Sequence, residues 1–336
     1  MIKPATHRGY SEQQTLSCER VLVTLLRGMG PWKESVYLIG GLVPRYLITA
    51  RPPQVPAHAG TQDIDVVIDV QILADTEAYH SLEENLKKMS FERAENEAGK
   101  RLSWRWQTRT EHGVQIILEL LTDAPTIAGG RVQPLPTNGT ISALNIPHSS
   151  MVFDMHEVTE VQAELLGGNG IATERIKYAN LVCFVCLKLF AYEQRFERKD
   201  AHDLFYCLDY VQGDVSSVAH RFNTALNGKH QQVIRESLSI LQRRFGSDKH
   251  IEGYRKDGPV SVSKFELGED LYDAELRNQR LLRQRYISEQ IDQLLICGWV
   301  ANQWATLLNI DTAVKVDLLT EDDPLARLTK VKLLLS

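Results

Sequence analysis

Apolar positions recur with helical spacing over residues 12–28, where Leu16, Val21, Leu25 and Leu26 fall on one side, and this predicts an amphipathic helix. VYLIG, from Val36 to Gly40, is short, rich in strand formers and ended by Gly40-Gly41, so it reads as a buried strand turning into a short helix. Arg51, Pro52, Pro53 and Pro56 then open a loop that runs to about Gln62. DIDVVIDV, from Asp63 to Val70, alternates with period two. Asp63, Asp65, Val67 and Asp69 share one strand face, and Ile64, Val66, Ile68 and Val70 share the other. Residues 76–89 read as a helix, KRLSWRWQTR and VQIILELL as two further strands, and Gly129 to Pro147 as loops with short strands.

The second half reads differently. From Glu174 onward helical periodicity dominates, over 174–195, 200–211, 216–227, 231–245 and 272–308. SDKHIEGYRKDGPVSVSKFELGED, between the last two, reads as a linker or mobile loop. The expected class is α+β: an N-terminal mixed-sheet lobe over 1–170 and a helical lobe over 171–336, divided near 165–175 where Gly167, Gly168 and Gly170 cluster.

A chain of 336 residues has room for two such lobes. With 43% hydrophobic and 24% charged residues and a net charge of -5, it reads as globular and cytoplasmic, and its mild acidity argues against coating nucleic acid nonspecifically. The apolar run near Leu181 to Leu189 is broken by Lys188 and is too short for a bilayer, so no membrane partner is expected. MIKPATHRGYSEQQ lacks the apolar core of a secretory signal. Five cysteines, an odd number, point to reduced thiols; Cys183 and Cys186 form a CxxC inside an apolar helical stretch and read as core residues.

The candidate chemistry lies in the acidic strands. Nucleotidyl transfer needs metal ions to clamp the attacking and leaving oxygens, and the ions need closely spaced carboxylates. Asp63 and Asp65, at i and i+2, point the same way about 6 to 7 Å apart along the strand. Glu119 stands among Ile117, Leu118, Leu120 and Leu121, where a carboxylate is costly unless a cation meets it, so it is the expected third member. The Gly40-Gly41 turn lets backbone N–H groups approach a triphosphate.

This order of strand, Gly-Gly, helix, DxD strand and acidic strand resembles the DNA polymerase β-like nucleotidyltransferase superfamily. YLIGGLVPRYL also resembles the opening of tRNA nucleotidyltransferase heads, with Arg45 near the place of their arginine but without their following aspartate. CLKLFAYEQRFERKDAHDLFYCL is similar to the helical lobe of AbiEii/AbiGii-type abortive-infection toxins, which offers a Lys, an Arg and a KDxxD to the nucleotide. The resemblance implies a nucleotidyltransferase domain over 1–170 and a helical domain that completes the nucleotide site. By it, two Mg2+ ions sit on Asp63, Asp65 and Glu119, while Gly40, Gly41, Arg45, Lys188, Arg195 and Lys199 bind the nucleoside triphosphate. Asp200 and Asp203 shape the site or act as a base. Lys188 and Arg195, seven residues apart, share a helix face, as do Asp200 and Asp203. The resemblance covers roughly 36–70, 115–123 and 181–210. Two departures stand out: 21 residues separate Gly41 from Asp63, and Leu42 replaces the hydroxyl residue expected after the glycines.

Plainer readings stand beside these. Asp200 could be a helix N-cap, with Asp203 in the first turn, and Lys188 could snorkel to solvent and pair with Glu193 or a neighbouring carboxylate. Arg101, Arg105 and Arg109 share a strand face that is either a solvated surface or a ridge for an RNA backbone, with Trp104 and Trp106 on the other face. His202, within the KDxxD segment, reads as a helix-surface histidine or as local to the site, and Asp69 as strand-end or peripheral to the site. The expected activity is metal-dependent transfer of a nucleoside monophosphate to an RNA hydroxyl, tRNA included, or to a protein hydroxyl. Glu119 would help deprotonate the acceptor. By resemblance the protein is expected to be a toxin of a toxin–antitoxin or phage-defence pair with a cognate antitoxin partner. The alternatives are a nucleotide-sensing or partner-binding protein without turnover, and an antitoxin-type enzyme that modifies a partner toxin.

Overall fold

The computed structural model describes residues 4–76, 81–137, 139–270, 273–296 and 314. Two compact units divide the chain, one built from Arg8–Leu187 and the other from Lys188 onward together with the N-terminal residues up to His7. The class is α+β, with strands in the N-terminal half and helices in the C-terminal half.

The first unit is a mixed open sheet. Its strands are β1 (Val36–Ile39), β2 (Asp63–Ile68), β3 (Glu92–Glu95), β4 (Arg101–Arg109), β5 (Gln115–Thr122), β6 (Val132–Pro134), β7 (Ser142–Asn145), β8 (His156–Glu164) and β9 (Ile171–Ala179). The main path runs β3-β4-β5-β2-β1-β9-β8, with β7 pairing both β5 and β6. β2 runs parallel to β5 and antiparallel to β1, and β4 is antiparallel to β5. The helices wholly within this unit, among the described residues, are α1 (Glu12–Met29), α2 (Pro44–Leu47), α3 (Val70–Asp75), α4 (Leu82–Lys88) and α5 (Met151–Asp154).

Local chemistry sets their ends. Ser11 caps α1 by accepting from the Gln14 N–H. Of the four residues expected on its apolar side, Val21, Leu25 and Leu26 are buried, whereas Leu16 is 38% exposed. Ser81 and Glu84 form a capping box at the start of α4. That helix is shorter than the expected 76–89, of which 77–80 lie outside the described residues. Asp69 does not extend the acidic strand face. Its carboxylate accepts from the Gln71 and Ile72 N–H groups as the N-cap of α3, so β2 ends at Ile68.

The expected switch to helices at Glu174 falls several residues later. Residues 171–179 form β9, paired along its length with β8, and Gly167, Gly168 and Gly170 lie in the connection of that hairpin rather than between lobes. Most of β8 alternates between exposed and partly covered residues, so there is no apolar period to read. The division between the units falls instead at Leu187–Lys188, within α6 (Leu181–Arg195).

The second unit continues with α7 (Arg198–Tyr210), α8 (Val215–Leu226), α9 (Gln231–Arg244), α10 (Asp257–Leu267) and α11 (Ala274–Leu295). The segment expected as a linker contains α10, which buries Pro259, Val262 and Phe265 and packs on α7 and α11. Gly258 and Pro259 stand in the first turn of α10, where proline is tolerated. A Cβ on Gly258 would meet the Phe245 ring at 2.5 Å, so the glycine marks a close helix contact. The expected helix to residue 308 is seen as far as Leu295; residues 297–308 lie outside the described set.

Among the described residues Cys18, Cys183, Cys186 and Cys207 are buried and form no disulfide, in keeping with reduced core thiols. Burial, then the neighbouring Cys186, pushes the Cys183 thiol well above its ordinary value, which disfavours the thiolate. Among the described residues no helix is long and apolar enough to cross a membrane.

Candidate active site

The acidic residues of β2 and β5 meet in one row. Parallel pairing sets Asp65 opposite Glu119 and Asp63 opposite Ile117. Paired residues on adjacent strands point to the same face, with Cα atoms about 4.8 Å apart. Asp65 and Glu119 are therefore immediate neighbours, and Asp63 lies one step along β2. Asp63 is buried, while Asp65 and Glu119 are half-buried.

Three neighbours shape this row. Thr61 Oγ1 donates to Asp63 Oδ1 at 2.6 Å from the end of the long loop, which fixes the buried carboxylate. Ile39, the last residue of β1, pairs with Asp65 and delivers Gly40 beside it. Gly40 has φ +76°, and a Cβ on it would stand 2.0 Å from Asp65 Oδ2. The glycine thus serves the site in two ways: it takes a left-handed turn and leaves room for the carboxylate. On the far side of β5, Arg105 of β4 pairs with Glu119, its Nε 3.1 Å from Glu119 Oε1.

Cys18 of α1 lies behind this row, its Sγ 3.7 Å from the Thr61 carbonyl. Burial raises its pKa first, and the negative charges of Asp63 and Asp65 raise it further. Both aspartates thus act on one spot of the first unit.

Arg45 is engaged elsewhere. Its Nε and Nη2 donate to the two oxygens of Glu19 at 2.6 and 3.3 Å, so its guanidinium serves an α2–α1 ion pair rather than the role expected of it at the triphosphate. Burial opposes that charge and Glu19 outweighs burial, leaving the Arg45 pKa above its ordinary value.

The expected basic ridge on β4 is divided. Arg101 is 3.5 Å from Glu95, Arg109 ends the strand, and Arg105 sits at the carboxylate row. Trp106 is fully buried on the opposite face, as the solvated-face reading expected, whereas Trp104 is only half-buried.

Within the helical unit, Lys188, Arg195, Lys199, Asp200 and Asp203 form one ion cluster. Lys188 Nζ donates to Asp200 Oδ1 at 2.9 Å and to Asp203 Oδ2 at 2.6 Å. Arg195 grips both oxygens of Asp200, at 2.6 and 2.9 Å, and Lys199 grips both oxygens of Asp203, at 2.9 and 2.8 Å. Three cations meet two carboxylates, and both carboxylates are buried. Burial works against the Lys188 charge, yet Asp203 and Asp200 overcome it and raise its pKa. For Asp200, burial is again opposed, here by Lys188 and Arg195, and the pKa is lowered.

Two of the plainer readings are corrected here. Asp200 is not the N-cap of α7; Glu197 holds that position, and Asp200 lies in the first turn with its carboxylate turned to Lys188 and Arg195. Lys188 is buried rather than snorkelling to solvent, and of the carboxylates expected for it the neighbouring Asp200 and Asp203 receive it, not Glu193, which is held by Arg243 and Arg244 of α9. His202 is likewise not on the surface. It is buried in α7, with Nδ1 3.3 Å from Glu266 Oε1 and its ring against Phe265 and His7.

Sequence reasoning missed Thr61 and the place of Arg105. A β4–β5 turn centred on His112 would have put 105 opposite 119, so the hairpin register was the available signal for Arg105. Thr61 lies in a loop with no pattern to read. No family model matches this chain. No curated protein matches it either.

Proposed function

We propose that this protein is a divalent-metal-dependent nucleotidyltransferase that moves a nucleoside monophosphate from a nucleoside triphosphate to a hydroxyl of RNA or protein. One observation carries the reading: Asp65 and Glu119 are in register on adjacent parallel strands, Asp63 is two residues along, and Gly40 is shaped around the Asp65 carboxylate. The pairing brings carboxylate oxygens to one sheet face, with the Arg105 guanidinium at its Glu119 end, and hard oxygen donors of this kind suit Mg2+. Carboxylate oxygens are the donor type that ion takes.

In this reading Asp63, Asp65 and Glu119 hold the metal. Bound Mg2+ supplies charge neutralisation at the phosphate oxygens. The protein's own part is positioning. Thr61 keeps Asp63 in one orientation, Gly40 keeps the backbone clear of Asp65, and the β2–β5 pairing fixes the spacing of the carboxylates. The acceptor hydroxyl attacks the α-phosphorus, its proton passes to water, and pyrophosphate leaves with the displaced electron pair. The likeness to abortive-infection toxins makes growth arrest by the active protein the expected biology.

The assay is transfer of label from α-labelled nucleoside triphosphates, with Mg2+, to total RNA or lysate protein. Transfer that is lost in Asp65→Asn supports the enzyme. Tight nucleotide binding without transfer supports the second reading, a nucleotide sensor, which is favoured by the 21 residues between Gly41 and Asp63 and by Leu42 in place of a hydroxyl residue. Arrest of growth on expression, abolished by the same substitution, separates a toxin from an antitoxin-type enzyme.

A further inference from the structure

Arg105 is the next residue in the acidic row. Asp65 of β2, Glu119 of β5 and Arg105 of β4 are consecutive partners across the sheet. The side chains of Arg105 and Glu119 are 26% and 21% exposed, so the pair is partly withdrawn from water and its attraction is stronger than at an open surface. The contact is nevertheless not a full hydrogen bond. Arg105 Nε lies 3.1 Å from Glu119 Oε1, but its N–H is not aimed at that or any other acceptor. A bidentate arginine fork would hold the carboxylate firmly. This one attracts Glu119 without locking it.

The neighbouring arginines do not share this position. Arg101 and Arg109 are four residues away on the same strand face, about 13 Å along β4. Both are exposed, and Arg101 is beside Glu95.

We propose that Arg105 is a positioning residue that competes with the divalent cation for Glu119 and thereby makes metal loading depend on nucleotide. This rests on the carboxylate row being the metal site. While Arg105 neutralises Glu119, the free protein holds a divalent cation weakly. An incoming triphosphate offers the guanidinium other anionic oxygens, and Glu119 is released to the metal. The binding of either ligand then favours the other, and the coupling is reciprocal.

The test is calorimetric titration of the full-length protein with MnCl2, with and without a non-hydrolysable nucleoside triphosphate analogue. Arg105→Met keeps most of the side-chain volume and removes the charge. The expected result is Mn2+ binding about ten-fold tighter in the free variant, a change equal to one pKa unit of charge interaction. The enhancement by the analogue shrinks accordingly. Arg105→Lys retains the charge and restores the nucleotide dependence. Unchanged or weaker Mn2+ binding by an Arg105→Met protein with wild-type circular dichroism overturns the inference and leaves the metal site standing, provided wild-type binding is lost in Asp65→Asn. Absence of any Asp65-dependent Mn2+ binding overturns both.

Discussion

Gly40 lies so close to Asp65 that a Cβ there would stand 2.0 Å from the carboxylate Oδ2. The contact is to the functional end of the side chain, and the backbone at Gly40 is left-handed, at φ +76°. Replacing this glycine therefore strains the turn and displaces the carboxylate together. Gly40→Ala should lower stability by about 1 to 3 kcal/mol, the usual range for strain at such a position. Label transfer should fall much further, by about 100-fold, the typical effect of a displaced catalytic group. Thermal melting and initial rates measured on the same preparation separate the two effects. A fully active Gly40→Ala protein would show that Asp65 has no precise position to keep.

The ion cluster of the helical unit predicts a second pattern. Removing Lys188 leaves two buried carboxylates short of a cation, and breaking such a pair costs about 3 to 5 kcal/mol. Lys188→Met should melt well below the wild type, and Lys188→Met with Asp203→Asn should recover part of the loss. A double-mutant cycle by chemical denaturation measures the coupling directly.

The same cluster sets a sign for acid sensitivity. Asp200 has a lowered folded-state pKa, so its stabilising contribution is present above its ordinary value of 3.8 and is lost as pH falls through the lower folded value. Lys188 has a raised pKa, so its contribution is full below its ordinary 10.5 and is lost only in stronger alkali. Stability should therefore be insensitive to these two residues between about pH 5 and 9 and decline below about pH 4. Asp200→Asn should flatten that acid decline while lowering stability at neutral pH.

His202 and Glu266 add a decline at milder pH. Burial lowers the His202 pKa more than Glu266 raises it, so unfolding takes up a proton at pH values just below 6.5. The His202 contribution is thus present above 6.5 and fades as pH falls through the depressed folded value. Burial opposes the Glu266 charge, but His202 and Arg283 prevail and lower its pKa to about 2, so Glu266 stays ionised across this range. Wild-type melting temperature should drop between pH 7 and 5, and His202→Phe should reduce that drop. Nuclear magnetic resonance titration of the His202 ring should give a midpoint below 6.5.

Much of the first unit could be read from period and punctuation. DIDVVIDV alternates cleanly, and VQIILELL carries one charge in an apolar run, so β2, β5 and their shared acidic face follow from side-chain parity. What parity does not give is register, and register decides that Glu119 meets Asp65 and that Arg105 meets Glu119. β8 and β9 were hidden because β8 buries no residue fully and the inward face of β9 carries the charged Glu174 among its apolar residues. In the helical unit the charged residues were recognised as a group, but their partners were not. Spacing put Lys188 and Arg195 on one side of α6, and only the packing of α7 against it shows that Asp200 and Asp203 receive them. Arg45 has the same lesson: a cation beside a glycine turn is available to a ligand only if no carboxylate of the fold has reached it first.

The central claim is that Asp63, Asp65 and Glu119 together make a divalent-cation site. Mn2+ titration followed by electron paramagnetic resonance, in the presence of a non-hydrolysable nucleoside triphosphate, reads that site directly. The account predicts saturable binding that weakens at least ten-fold in each of Asp63→Asn, Asp65→Asn and Glu119→Gln, as expected for loss of a charged ligand. Equal Mn2+ affinity in the wild type and all three variants would contradict it.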